Sequence, residues 1–200
     1  MDQSRLRAED IMDFEKLTTL ISFLLNAAWE EGWGTFTSDY PSGNNASQTT
    51  SPIIVYSLLD MKPGMIGKNT RERKPRVRDY IPTDADGNGA SFMEIRGQVF
   101  DALLRFELYA ENNQRVEQLG RDFRSLVHMY TGYLKQRGLK EIILERIENA
   151  NGIKRGADDL ACRYVDYFVR FEEQWEVPTE ELRNVEYKVD LMLLEQNQNP

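Results

Sequence analysis

The sequence predicts an α+β fold: an antiparallel or mixed β-sheet with two main helices packed on one face, long loops and an extra C-terminal strand. Three observations lead there. Two stretches carry apolar residues at three- and four-residue spacing, one long stretch alternates at strand spacing, and shorter β-like segments follow the second helix. Amphipathic helices interleaved with strands in this order need a sheet face to cover.

The first helix rests on Ile11, Phe14, Leu17, Ile21, Leu24, Leu25 and Ala28, with Glu15, Lys16, Thr18 and Glu30 between them. It is expected to stop near Gly32-Trp33-Gly34, where two glycines remove helix propensity. Thr35 to Pro52 is rich in Ser, Thr, Asn and Gly and reads as a long surface loop. Ile53 to Leu59 is β-branched and aromatic, a strand. A second loop is expected from Lys62 to Gly89, because Pro63, Gly64, Gly67, Pro75 and Pro82 break any regular element.

Phe92 to Ala110 reads as a long strand whose apolar phase changes. Met93, Ile95 and Val99 share one face before Phe100, Ala102, Leu104, Phe106 and Leu108 take the other, which predicts a β-bulge or bend near Val99. Asn112 or Asn113 is a suitable N-cap for the second helix, with apolar positions Val116, Leu119, Phe123, Leu126, Val127, Tyr130, Tyr133 and Leu134 and a stop at Gly138. Strands are then expected at Lys140 to Ile147, Cys162 to Val177 and Arg183 to Leu193, the last alternating strictly before a polar tail at Gln196 to Pro200. The whole, 1–200, is expected to be a single domain with its core at about 10–178 and a C-terminal strand extension at 179–200.

Composition narrows the function classes. With 200 residues, 40% hydrophobic and 29% charged, the chain has ordinary globular character and enough apolar material for one core. Its formal net charge of -8 repels nucleic acid and anionic lipid, so a nucleic-acid role needs a local basic patch. The apolar run around Leu20 to Trp29 is interrupted by Ser22 and Asn26 and is short of the roughly 18 residues of a membrane span. Met1-Asp2-Gln3-Ser4 opens no secretory signal, so a soluble protein folding in a cytoplasm is expected, without membrane partners. One cysteine and one histidine leave little for disulfide or metal chemistry.

Individual motifs point the same way. Asp84, Asp86 and Asn88, with Gly89 in the sixth position, begin like a calcium loop, but the twelfth position is Ile95, with Glu94 one residue early. An Asp/Asn/Gly turn accounts for the segment better, and calcium remains the weaker candidate. Lys68 to Arg78 is a basic stretch in an acidic chain, and its Arg71, Arg73, Lys74, Arg76 and Arg78 are the candidate interface residues. Docking against an acidic neighbouring subunit is favoured over a solvated loop and over nucleic-acid contact, since Pro75 opposes a groove-entering helix and no aromatics interleave the charges. His128 lacks a partner at catalytic spacing and reads as an ordinary helix residue, and Cys162 as a small hydrophobe. The adjacent acids Glu30-Glu31, Glu172-Glu173 and Glu180-Glu181 read as solvated pairs, Asn45-Ala46-Ser47 as an unmodified sequon, and Trp29, Trp33 and Trp175 as core or interface anchors. No phosphate loop, HExxH, GxSxG or paired-cysteine pattern occurs, so neither an enzyme nor a cofactor is expected.

The middle of the chain carries a resemblance. RERKPRVR at Arg71 to Arg78 leads to EIRGQVFDALLRFELYAENN at Glu94 to Asn113, then a helix with Tyr130-Thr131-Gly132-Tyr133-Leu134, a strand at Leu139 to Arg146 and RYVDYFVRFEEQWEVP at Arg163 to Pro178. This resembles tailed-bacteriophage virion proteins of the neck and tail-end region and is most similar to the tail terminator, or tail completion, family. The resemblance covers roughly Asp10 to Pro178 and rests on element order and sequence character. It implies a sheet flanked by helices, and a homo-oligomeric ring for which six copies is one candidate number. Such a ring would cap the head-proximal end of the tail tube, with tail-tube and head-connector proteins as partners, in a virion assembled in the host cytoplasm. It carries over no catalytic residue and does not explain Arg183 to Leu193. The alternatives are another neck protein, such as a head-completion or stopper protein, and a nucleic-acid-binding module using the basic loop.

Overall fold

The computed structural model describes residues 11–29, 32–40, 52–82, 92–149 and 160–178. Helix α1 (Phe14–Ala28) begins where the Asp13 side chain accepts a hydrogen bond from the Lys16 amide, an N-cap in extended backbone. Its buried Leu17, Ile21, Leu24 and Leu25 recur at helical spacing. Helix α2 (Asn113–Gln136) starts in the same way, with Asn112 accepting from the Arg115 amide. It buries Val116, Leu119, Phe123, Leu126, Val127 and Leu134. Gly138 follows its end at a φ of 105°, a conformation that favours glycine.

Eight strands complete the described chain: β1 (Thr35–Thr37), β2 (Ile53–Pro63), β3 (Met65–Gly67), β4 (Thr70–Arg71), β5 (Arg76–Pro82), β6 (Phe92–Ala110), β7 (Glu141–Asn149) and β8 (Ala161–Pro178). Six form one mixed sheet in the order β1-β2-β6-β8-β7, with β5 also paired to β6, while β3 and β4 make a small hairpin. Strand β6 is the spine. Strand β8 runs antiparallel along one whole side of it, and β5 and then β2 share the other side. The α+β architecture expected from the sequence is therefore present.

Register decides which residues face the helices. Opposed residues of antiparallel strands share a face, so Phe100, Ala102, Leu104 and Phe106 lie with Phe171, Val169, Tyr167 and Val165. These pack with the buried faces of α1 and α2 into one core, in which Phe106 lies 4.8 Å from Phe123 ring to ring. Both helices thus cover the same side of the sheet. On the other side, Ile53, Val55 and Tyr109 form a smaller apolar cluster with Leu160 and Cys162.

Three expectations are corrected. The span from Lys62 holds the end of β2, the β3–β4 hairpin and β5, because its prolines and glycines fall at strand ends and turns rather than inside strands. The span from Thr35 opens with the short parallel strand β1, whose amide at Thr35 donates to the Pro52 carbonyl at 3.0 Å. No bulge interrupts β6, which pairs with β8 without a shift from Met93↔Pro178 to Ala110↔Ala161. The bulges lie in its neighbours, at Leu58/Asp60 of β2 and Val77/Asp79 of β5, and in β7 at Leu144/Arg146. The phase change follows a change of cover, with helices over Phe100, Ala102, Leu104, Phe106 and Leu108 but Gly64 packed on Val99. The Asp84, Asp86 and Asn88 motif, Asn45, the 179–200 extension and the Arg183 to Leu193 strand lie outside the described residues.

Candidate subunit-docking surface

The basic stretch becomes an arm running from the far half of β2 through β5. Between the places where β2 and β5 leave off, Gln98 and Val99 of β6 have no strand beside them on that side. Glu72 fills the gap. Its Oε2 accepts the Val99 amide at 2.8 Å, its main-chain carbonyl accepts from Gln98 Nε2 at 2.8 Å, and its amide donates to the Gly64 carbonyl at 2.9 Å. Gly64 in turn donates to the Val99 carbonyl at 2.7 Å. One side chain replaces a missing ladder hydrogen bond of the sheet's central strand.

The candidate cations divide around this carboxylate. Arg78 Nη2 donates to Glu72 Oε2 at 2.6 Å and its Nε donates to Glu172, while Arg76 Nε lies 3.6 Å from Glu72 Oε1. Burial would raise the Glu72 carboxyl, but the Arg78 and Val99 hydrogen bonds and the charges of Arg78 and Arg76 together hold it below the ordinary carboxylate range. The Arg78 guanidinium is pushed up, chiefly by its hydrogen bond to Glu72 against the opposing effect of burial. Arg71 Nη1 reaches the Pro63 carbonyl at 2.6 Å and Asp101 Oδ2 at 3.2 Å. Arg71, Arg76 and Arg78 are therefore engaged with the chain's own acids, whereas Arg73 and Lys74 are exposed and outside these pairs.

The sheet face away from the helices carries a ladder of such pairs. Asp101 also accepts from Arg170 Nε at 2.6 Å, and Asp166 accepts from Arg105 Nε at 2.8 Å and Arg146 Nε at 2.6 Å. Burial raises the Asp166 carboxyl, yet the two arginines bring it below its usual value. Glu107 accepts from Tyr109 and Tyr40 hydroxyls at 2.6 and 2.9 Å. Glu172 accepts from Lys140 Nζ at 2.8 Å as well as from Arg78, which outweighs the effect of its burial and lowers its pKa. Asp166 and Glu172, ion-paired and with lowered pKa, are poor general acids.

Apolar exposure is concentrated on the arm. Leu58, Leu59, Met61, Ile66, Val77, Tyr80 and Ile81 are exposed, half of the exposed large hydrophobics among the described residues, with Tyr80 58% accessible. Three more, Ile143, Leu144 and Ile147, lie on β7 at the opposite margin of the sheet. Scattered exposed apolar residues are ordinary, but clusters on sheet margins mark interaction surfaces.

The other sequence candidates are dispersed. His128 is exposed on α2 beside a cleft of about 410 Å³ lined by Arg121, Arg124, Ser125, Thr131 and Tyr167 among others. Cys162 sits half-buried with the small cluster on the opposite side of the sheet. Trp29 and Trp33 meet edge to face at 4.7 Å and pack against the core, while Trp175 is exposed on β8. Among the described residues, no group of three or more His, Cys, Asp or Glu side chains is gathered to hold a metal, and no helix is long and apolar enough to cross a membrane.

Sequence reasoning missed Glu72 and the exposed apolar set. The one available signal for Glu72 was a lone acid inside a basic run. No protein-family model and no curated protein matches the chain.

Proposed function

We propose that the protein is a structural subunit of a tailed-bacteriophage virion, of the tail-terminator kind, that assembles with copies of itself into a ring and docks the tail tube on one side and the head connector on the other. The observation that carries this reading is the arm, along which exposed apolar side chains from Leu58 to Ile81 and the exposed Arg73 and Lys74 are spread on one side of β6. Exposed apolar side chains interspersed with charge along an open sheet margin suit a protein partner better than solvent. The α+β order of elements agrees with the resemblance of roughly Asp10 to Pro178 to that family. The arm's engagement of Arg71, Arg76 and Arg78 with internal acids also removes much of the free positive charge that a nucleic-acid site would use.

The test is the particle mass of the purified protein over a concentration series, with negative-stain images, alone and with the tail-tube protein. A ring, or a monomer that becomes a ring on the tube protein, is the expected result. A chain that stays monomeric and ignores the tube protein would remove the assembly role.

A further inference from the structure

The two margins of the sheet differ in charge as well as in position. On the β5 side, Arg76 and Arg78 are held by Glu72 and Glu172, and the exposed Arg73 and Lys74 stand against the single anion Asp79, one unit positive. On the β7 side, Glu141 is paired with Lys135 and Glu148 with Arg146, and the exposed Glu145 leaves the margin one unit negative. Each margin is an edge, since among the described residues β5 pairs only with β6 and β7 only with β8. Each also exposes apolar side chains, Tyr80 and Ile81 on one and Ile143 and Leu144 on the other.

We infer that the β5 margin of one copy docks edge to edge on the β7 margin of a second copy, head to tail, so that the sheet continues from subunit to subunit. The inference rests on the self-assembly part of the proposed function and names the surface that performs it. Charge selects this pairing over the two symmetric ones. A two-fold contact through β5 would oppose two positive edges, and one through β7 two negative edges, whereas β5 against β7 brings opposite charges together. The bulges at Val77/Asp79 and Leu144/Arg146 twist both edges and discourage indiscriminate strand pairing, which leaves complementarity to choose the partner. A head-to-tail contact uses two different surfaces of each copy, so it propagates and closes into a ring when the rotation allows.

Cysteine cross-linking tests it. Tyr80→Cys and Ile143→Cys are made singly and together, at exposed positions whose replacement leaves the core intact. Each assembly is treated with a short bis-maleimide, with the unsubstituted chain as the control for its own Cys162. The doubly substituted chain is expected to give a ladder of dimers, trimers and higher species. A mixture of the two single variants should stop at dimers, and neither single variant alone should exceed the control. Dimers from one single variant alone would show a two-fold contact and overturn the inference. Rings that form by mass and image but yield no ladder would overturn the β5–β7 contact while leaving the ring reading in place. A monomer with and without tube protein would overturn both.

Discussion

At the scale of single residues, Glu72 binds Arg78 and the Val99 amide with a side chain only 1% accessible. Its folded pKa lies below the unfolded value of about 4.3. The stabilisation is therefore fully present above the unfolded value and is lost as pH falls through the lower folded value. Asp166 and Glu172 shift in the same direction and act in the same window. Glu72→Gln keeps an acceptor for the Val99 amide but removes the charge facing Arg78. It is expected to lower stability by about 2 kcal/mol at pH 7, the cost of disrupting a buried charged hydrogen bond. The difference from the native chain should shrink toward pH 3, below the unfolded value, where the unfolded chain takes up the proton and the advantage of the paired carboxylate falls away. Urea midpoints at the two pH values check this, and a gap that does not change with pH would mean the effect is one of shape. Little of this was legible in the sequence, where Glu72 stands out in RERKPRVR only as its single acid. Its burial depends on a residue 27 positions away in β6.

At the scale of elements, legibility followed locality. Helix α2 was readable because its cap, its apolar spacing and its terminal glycine lie within one continuous segment. Strands β6 and β8 were readable because both are long and apolar over much of their length, whereas their pairing was not. The β2–β5 arm was not, since its breakers mark strand ends that only a partner strand can define. Gly97 shows how closely these elements meet. A Cβ there would stand 2.7 Å from Glu172 Oε1 and 3.0 Å from the Arg78 side chain, so glycine leaves the room in which those two pair. Gly97→Ala is expected to push the pair apart and cost about 1–3 kcal/mol, as overpacking does. Thermal unfolding checks it, and an unchanged transition would mean that the Arg78 and Glu172 side chains accommodate a methyl group without loss.

At the scale of the whole molecule, the same kind of charge serves two ends that salt can separate. Cations within the fold face carboxylates that are nearly inaccessible, as at Asp101, Asp166 and Glu72, where mobile ions screen little. Arg73 and Lys74 on the β5 margin and Glu145 on β7 are exposed, and their attraction across a subunit contact falls within a Debye length of about 10 Å at 0.1 M salt. Raising salt from about 0.05 to 0.5 M is therefore expected to weaken self-association several-fold, as screened steering and pairing do, while the urea midpoint moves little. Arg73→Ser with Lys74→Ser should weaken association at low salt, flatten its salt dependence, and leave stability within about 0.5 kcal/mol, as surface changes do. Sedimentation velocity across the salt series, beside urea titrations of the same samples, measures both. Association that strengthens with salt would instead assign the contact to its apolar residues, with Tyr80 and Ile143 the first to replace.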